Sequence, residues 1–484
     1  MADDDDRAER TVTFSEVFRI GEYRAIFATT QLAEAGEHMA KAAVTALVFF
    51  VTDSVVLTAT TFAISYAPWV VGGPFLAALA ERLRYRAVMV TSDVLRAAIL
   101  GGVAALAVTL LPSTTQTAAT GHVPGAIWLI LVLLFAESLL APPALAARSA
   151  VLPLVLEGER VTLGLAVNQT GRQATQVLGY MAGALIAIVD PALALVINSA
   201  TYLLTAAIIR FGLRDWAPAM RAEDRSHLLR ETREGFQIVF GTPTLRAIAT
   251  VVFASMLFAI VPEGLAITWA EDLAQDDSAR RGLYQGLIMI ANPVGHAIAG
   301  MLLVRLLRPS VRSRLVRYFV VAAPLALVPA LLSPGIGGVV AMTMISGLAI
   351  AGMLPTLNGI FVQILRHGYR ARAFGVMNSG MQLAQGGAVL AVGAITGVAG
   401  LPLPVVVGAW SAGGVALTLF LAFRWPRPEV FHAAIASATQ TNQALAGVGT
   451  QPPAPASAPA APRPRGEVPP EVPAEPGREA TPPR

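Results

Sequence analysis

Residues 32–44 read LAEAGEHMAKAAV, small apolar positions interrupted by Glu34, Glu37, His38 and Lys41. They lie inside an apolar run from about residue 25 to 51, and Lys41 is the only lysine in a chain whose Lys and Arg total 35. At 100° per residue, positions i, i+3, i+4 and i+7 form one stripe covering less than a third of a helix. Counting about 1.5 Å per residue from Tyr23 puts that stripe near mid-span. One charge at that depth costs about 2.5–3.5 kcal/mol on insertion scales, so four facing lipid would not be tolerated. The stretch therefore requires an interior, either other helices or a water-filled cavity along its charged side.

The rest of the chain supplies one. Its 484 residues are 55% hydrophobic and only 14% charged, with a mean hydropathy of +0.61. Soluble domains carry about a quarter charged residues. Apolar runs of roughly 20 residues, long enough to cross a bilayer, recur along the chain. They predict spans at 25–51, 55–80, 87–111, 125–147, 163–189 and 191–211, then at 246–270, 282–306, 315–333, 337–362, 373–398 and 402–424. The expected fold class is an all-α integral membrane protein of twelve transmembrane helices in two six-helix bundles.

The corresponding domains are an N-terminal cytoplasmic segment 1–24, a first bundle 25–211, a cytoplasmic linker 212–245, a second bundle 246–424 and a Pro/Ala-rich tail 425–484. Arginines crowd alternate loops, at Arg82, Arg84 and Arg86, at Arg148 and Arg160, between Arg210 and Arg246, between Arg305 and Arg317, and at Arg366, Arg370 and Arg372. By the positive-inside rule both termini are cytoplasmic. In the linker, HLLRETREGFQIVF sets Leu228, Leu229, Phe236, Val239 and Phe240 opposite its charges, the pattern of an amphipathic helix on the membrane face. The tail has too little apolar surface to fold and is expected to be largely disordered.

Several function classes are set aside. The chain has no cysteine, so neither disulfides nor thiolate metal sites are available. Acidic MADDDD precedes the first apolar run and no cleavage pattern follows it, unlike a removable signal. A pI near 9.7 does not indicate nucleic acid, because the arginines are divided among loops. The six histidines show no metal spacing. A phosphate-cradling loop needs a lysine, and Lys41 sits within a span. No enzyme signature stands up and no cofactor is implied, so the energy for any transport would come from an ion gradient, most simply protons. The strong bias to Arg and Ala suits a GC-rich bacterium and placement in its cytoplasmic membrane.

Six-plus-six spans around a long polar linker resemble the major facilitator superfamily. Within it, AEAGEHMAKAA, DVLRAA from Asp93 to Ala98, APPALAARSAVLP from Ala141 to Pro153 and LLRETREGFQIV are similar to the bacterial drug and siderophore exporter branch, the enterobactin-exporter-like group. The similarity runs from about Phe18 to Trp425. The resemblance implies a monomeric transporter working by alternating access, with lipid and a small molecule as its partners. Two departures stand out. AALAERLRYR keeps only part of the cytoplasmic latch motif, with Glu81, Arg82 and Arg86 as candidate members. Gly179-Tyr180-Met181-Ala182-Gly183-Ala184 retains two glycines of the antiporter signature Gly-Pro-x-x-Gly-Gly but has lost its proline.

Candidate proton-coupling and cavity residues are Glu37 first, then Glu34 and Glu137, with Lys41, Arg172 and His38 beside them. Asn168, Glu263 and His296 are candidate substrate or gate residues. Asp93 and Arg96, three apart, are expected to pair on their own helix or to reach the cytoplasmic interface, leaving three carboxylates against Lys41 and Arg172 and one carboxylate without a partner. Such a group suits proton-coupled efflux of amphipathic drugs, siderophore-like products or secondary metabolites. Plainer readings stay open: Glu37–Lys41 as a structural tie, Arg172–Asn168 as inter-helix glue and His296 as a packing residue. So do an importer or uniporter of a nutrient or lipid, and a membrane scaffold or sensor.

Overall fold

A computed structural model describes residues 13–71, 83–110, 125–216, 228–275, 277–306, 309–365 and 369–449. Those residues are helical throughout apart from short connections. The first half comprises α1 (Phe14–Phe18), α2 (Gly21–Thr52), α3 (Val55–Ile64), α4 (Ala67–Val71), α5 (Tyr85–Leu110), α6 (Gly125–Leu139), α7 (Ala141–Val155), α8 (Glu159–Val189) and α9 (Pro191–Gly212). The second half comprises α10 (Leu228–Gly241), α11 (Pro243–Ala259), α12 (Val261–Gly264), α13 (Ala266–Ala274), α14 (Ser278–Leu306), α15 (Pro309–Leu325), a 3-10 turn (Val328–Leu332), α16 (Ile336–Ile364), α17 (Arg370–Ala399), α18 (Leu403–Phe423) and α19 (Pro428–Gly449).

The chain is a multi-pass integral membrane protein, but the expected twelve spans in two six-helix bundles are not what it shows. Among the described residues eight helices are long and apolar enough to cross a membrane, or nine if the pair Thr232–Gly241 and Pro243–Ala259, bent by 98°, counts as one span. The eight coincide with expected spans. The expected spans at 25–51 and 163–189 are long helices, α2 and α8, but their ionisable and amide side chains make them too polar for that count. The run at 55–80 is described only as the short pieces α3 and α4, and residues 72–82 lie outside the described part. The run at 246–270 is divided into α11, α12 and α13. Pro262 has no N–H to give the helix ladder, and the helix is interrupted at Ile260 and at Leu265.

Packing within the first half rests on two buried apolar clusters, one around Leu47, Leu100, Ile130 and Tyr202, the other around Tyr23, Tyr85, Met89 and Leu152. A third, around Ile248, Met353 and Phe361, belongs to the second half. A fourth joins the halves, gathering Phe62 and Tyr180 with Phe258, Trp269, Met289 and Val389. In α8 the two glycines kept from the antiporter signature meet the backbone of α2. A Cβ on Gly179 would collide with the Ala35 carbonyl, and one on Gly183 with the Met39 backbone. Small residues let the two helices touch main chain to main chain, which holds the charged stripe of α2 directly beside α8.

The linker segment forms α10, with Val239 buried and Phe236 and Phe240 exposed, their rings stacked 5.8 Å apart. Glu234 pairs with Arg372 of α17 at 2.7 Å. Where disorder was expected from residue 425, α19 instead continues the helical structure, and Phe431 packs on Trp425 at 5.1 Å within the second-half core. Residues 450–484 lie outside the described part.

Candidate functional site

The stripe read from residues 32–44 is realised, and every member has a partner. Glu34 accepts from Arg172 of α8 at 2.9 Å and lies 3.5 Å from His38 Nε2. Glu37 lies 3.3 Å from Lys41 Nζ, one turn on, and 3.0 Å from Arg96 of α5. Arg96 also donates through Nε to Glu137 of α6 at 2.7 Å, and its guanidinium lies 4.3 Å from the Tyr202 ring centroid. Only 3% of Arg96 is exposed. Lys41 Nζ sits 5.3 Å from the Tyr66 ring centroid, a cation–π arrangement that suits a partly buried ammonium.

One expected pairing is corrected. Asp93 does not pair with Arg96: fully buried, it accepts both 2.8 and 3.1 Å bonds from Arg148 Nη2 of α7, and a 2.8 Å bond from Thr205. Arg172 and Asn168 of α8 both reach α2, Arg172 donating to Glu34 at 2.9 Å and the Asn168 side chain accepting from Gln31 at 2.9 Å. Arg148, read from sequence as a loop arginine, is thus a buried counter-ion. With it, the first-half network holds the four carboxylates of Glu34, Glu37, Asp93 and Glu137 against the four cations of Lys41, Arg96, Arg148 and Arg172. The expected spare carboxylate is not in this group. A buried ion costs several kcal/mol in desolvation unless paired, so the pairing is what makes this interior tolerable.

A buried carboxylate with no cation partner among the described residues lies in the second half. Glu263 is 3% exposed, its Oε1 accepts a short hydrogen bond from the Tyr180 hydroxyl of α8, and among the described residues no cation lies within ion-pair distance. The broken helix explains its position: on the short α12, Glu263 faces α8 while Gly264 lies against Val389 and Phe62. Tyr180 was not singled out from sequence, yet the signal was there. It stands where the antiporter signature has its proline. Its ring also lies edge-on to His38, 4.6 Å between centroids, so His38 links the Glu34 pair to the Tyr180–Glu263 pair. His296 Nδ1 lies 3.1 Å from the Asn292 carbonyl one turn earlier and faces the same space as Glu263.

Two neighbouring cavities run past these groups. One, of about 220 Å³, is lined by the α2 stripe, Arg148, Arg172, Gln169, Gln173, Gln176 and Gln382. The other, of about 260 Å³, is lined by Glu263, His296, Asn292 and Gln385 together with Met256, Ile260, Ile350, Leu354 and Met381. They share His38, Lys41, Tyr66, Gln173 and Gln176. The space thus has a polar side on the first half and a largely apolar side on the second. Of the latch candidates, Glu81 and Arg82 lie outside the described residues. Arg86 instead meets Asp215, 3.7 Å away, after α9. Among the described residues no three His, Asp or Glu side chains gather in a metal-holding group.

No family model matches the chain, and no curated protein does. Solved structures do match. The nucleoside transporter NupG superposes with a TM-score of 0.59 at 13% identity, over 85% of this chain and 98% of that one. A bacterial homologue of the iron transporter ferroportin, inward-facing, gives 0.59 at 14%, over 86% and 99%. A bacterial homologue of the human lysosomal transporter Spinster, inward-facing and occupied, gives 0.58 at 12%, over 87% and 96%. The chain shares its fold with these structures. At these identities the transporter fold is what is shared, and nothing in the likenesses singles out the siderophore-exporter branch.

Proposed function

We propose that the chain is a secondary active transporter that exports amphipathic small molecules from a bacterial cell in exchange for protons, by alternating access. The observation that carries this reading is Glu263, a buried carboxylate that lines the cavity and has a hydroxyl rather than a cation as its partner. Protonating Glu34, Glu37 or Glu137 breaks an ion pair, whereas protonating Glu263 breaks none. Glu37, the first candidate from sequence, is held by both Lys41 and Arg96, and serves with Glu34 and Arg172 as the fixed polar wall of the cavity.

The Tyr180–Glu263 hydrogen bond runs from α8 in the first half to α12 in the second, contacts that alternating access must remake. A proton arriving at Glu263 changes that contact directly, so proton and substrate bias the same two-state element. The mixed cavity lining supports an amphipathic cargo, and NupG, the ferroportin homologue and the Spinster homologue are transporters by their own descriptions.

The test is substrate-induced proton movement in proteoliposomes loaded with a pH-sensitive dye, with hexyl glucoside or tetraphenylphosphonium added outside. Wild type is expected to move protons when one of these is added. Glu263→Gln is expected to bind the same compound and lose at least ten-fold of the proton signal. A wild-type-like signal from Glu263→Gln would place the coupling group elsewhere, and proton-independent movement of the compound by wild type would overturn exchange altogether.

A further inference from the structure

Three glutamines of α8, Gln169, Gln173 and Gln176, are spaced i, i+4 and i+7 and share one face of the helix. All three line the polar cavity, and Gln382 of α17 lines it from the second half of the chain. Among the described residues none of these four amides has a hydrogen-bond partner, unlike Gln31 and Gln385, which are engaged by Asn168 and Met256. Each amide offers both donors and an acceptor. Four of them unengaged around one space form a hydrogen-bonding wall with no net charge.

The charges beside this wall are already spent on one another. Glu34 is bound to Arg172 and Glu37 to Lys41 and Arg96, so an ionic head seated among the glutamines meets charges that are already paired and forfeits its hydration, Glu263 lying in the other cavity. Beyond Gln173 and Gln176 the lining is mixed, with the apolar Met256, Ile350, Leu354 and Met381 beside Glu263, Asn292, His296 and Gln385. Methionines of this kind adapt to differently shaped apolar bodies.

We infer that the cargo is an amphiphile whose polar end is an uncharged, polyhydroxylated group held by Gln169, Gln173, Gln176 and Gln382, with its apolar body against the second-half side chains. This deepens the transporter reading and rests on it for the word cargo. Head-group recognition itself is an equilibrium property of the cavity. A hydroxyl can give a proton to an amide oxygen and accept one from the amide nitrogen, so a polyol engages several of these side chains at once. A trimethylammonium head has no N–H to donate and no lone pair to accept with, and a sulfate head can use only the amide nitrogens.

The experiment measures saturable binding to the full chain in nanodiscs, at fixed pH and with no gradient. Hexyl glucoside, hexyltrimethylammonium and hexyl sulfate serve as probes, so the apolar contribution is held constant. Hexyl glucoside is expected to bind at least ten-fold more tightly than either ionic probe. The double variant Gln173→Leu/Gln176→Leu is expected to lose about ten-fold of glucoside affinity and almost none for the ions. Gln176→Asn, which keeps an amide, is expected to stay within about three-fold of wild type, separating a lost hydrogen bond from a misfolded protein. Equal or tighter binding of an ionic probe, undiminished glucoside binding by the double variant, or no saturable glucoside binding would each overturn the inference. Because no gradient is present, failure here leaves proton exchange standing, and failure of proton exchange leaves head recognition standing.

Discussion

Replacing Arg96 with glutamine should be among the most costly single changes in the first half. The guanidinium is 3% exposed and serves two carboxylates, Glu37 at 3.0 Å and Glu137 at 2.7 Å. Glu37 would retain Lys41 at 3.3 Å. Glu137 would retain only the hydroxyls of Tyr202 at 3.4 Å and Ser138 at 3.5 Å, with no cation. Leaving a buried charge without its partner costs about 3–5 kcal/mol. Glu137→Gln alone should cost about 1–2 kcal/mol, because it removes one charge-assisted bond and leaves Arg96 bound to Glu37. The double variant replaces an ion pair by two amides able to bond to each other, so it should be more stable than Arg96→Gln alone. The expected coupling in the double-mutant cycle is about 2–3 kcal/mol. Reversible denaturant unfolding in mixed micelles reads all four corners. Coupling within about 0.5 kcal/mol of zero would refute the claim that these two charges stabilise each other in the folded state.

Two further outcomes follow from the packing and the cavity. Gly183→Leu places a side chain where the Met39 backbone lies, and such overpacking should cost about 1–3 kcal/mol. A thermal unfolding midpoint equal to wild type would contradict the close approach of α2 and α8. The chain contains no cysteine, so single-cysteine labelling needs no altered background. Gln176→Cys, at the junction of the two cavities, should react with a water-soluble maleimide much faster than Val132→Cys, which is 63% exposed on an apolar face of α6. Equal rates would mean that water does not reach the cavity.

How the interior charges pair was only partly visible in the chain itself. Periodicity placed Glu34, Glu37, His38 and Lys41 on one face of α2, and the cost of charge in lipid required that face to look inward. That reasoning needs no partner, only helix geometry and an insertion energy. Eight of the long apolar helices were equally legible, because a run of roughly 20 apolar residues carries its own signal. The same hydropathy reading went astray where the signal is not local. It counted α2 and α8 among the apolar spans although their ionisable and amide side chains make them too polar for that count, and it carried the run at 246–270 through the break around Pro262.

Sequence by itself therefore determined that this is a helical membrane protein with a charged interior face. Tertiary structure alone decided which charge belongs to which. Asp93 and Arg96 sit three residues apart yet take partners 55 and 41 residues away, Arg148 and Glu137. Glu263 is met by Tyr180, 83 residues distant and in the other half. Spacing along a helix fixes direction but not what approaches from a neighbouring helix, and a buried ion pairs with whatever geometry brings within about 3 Å.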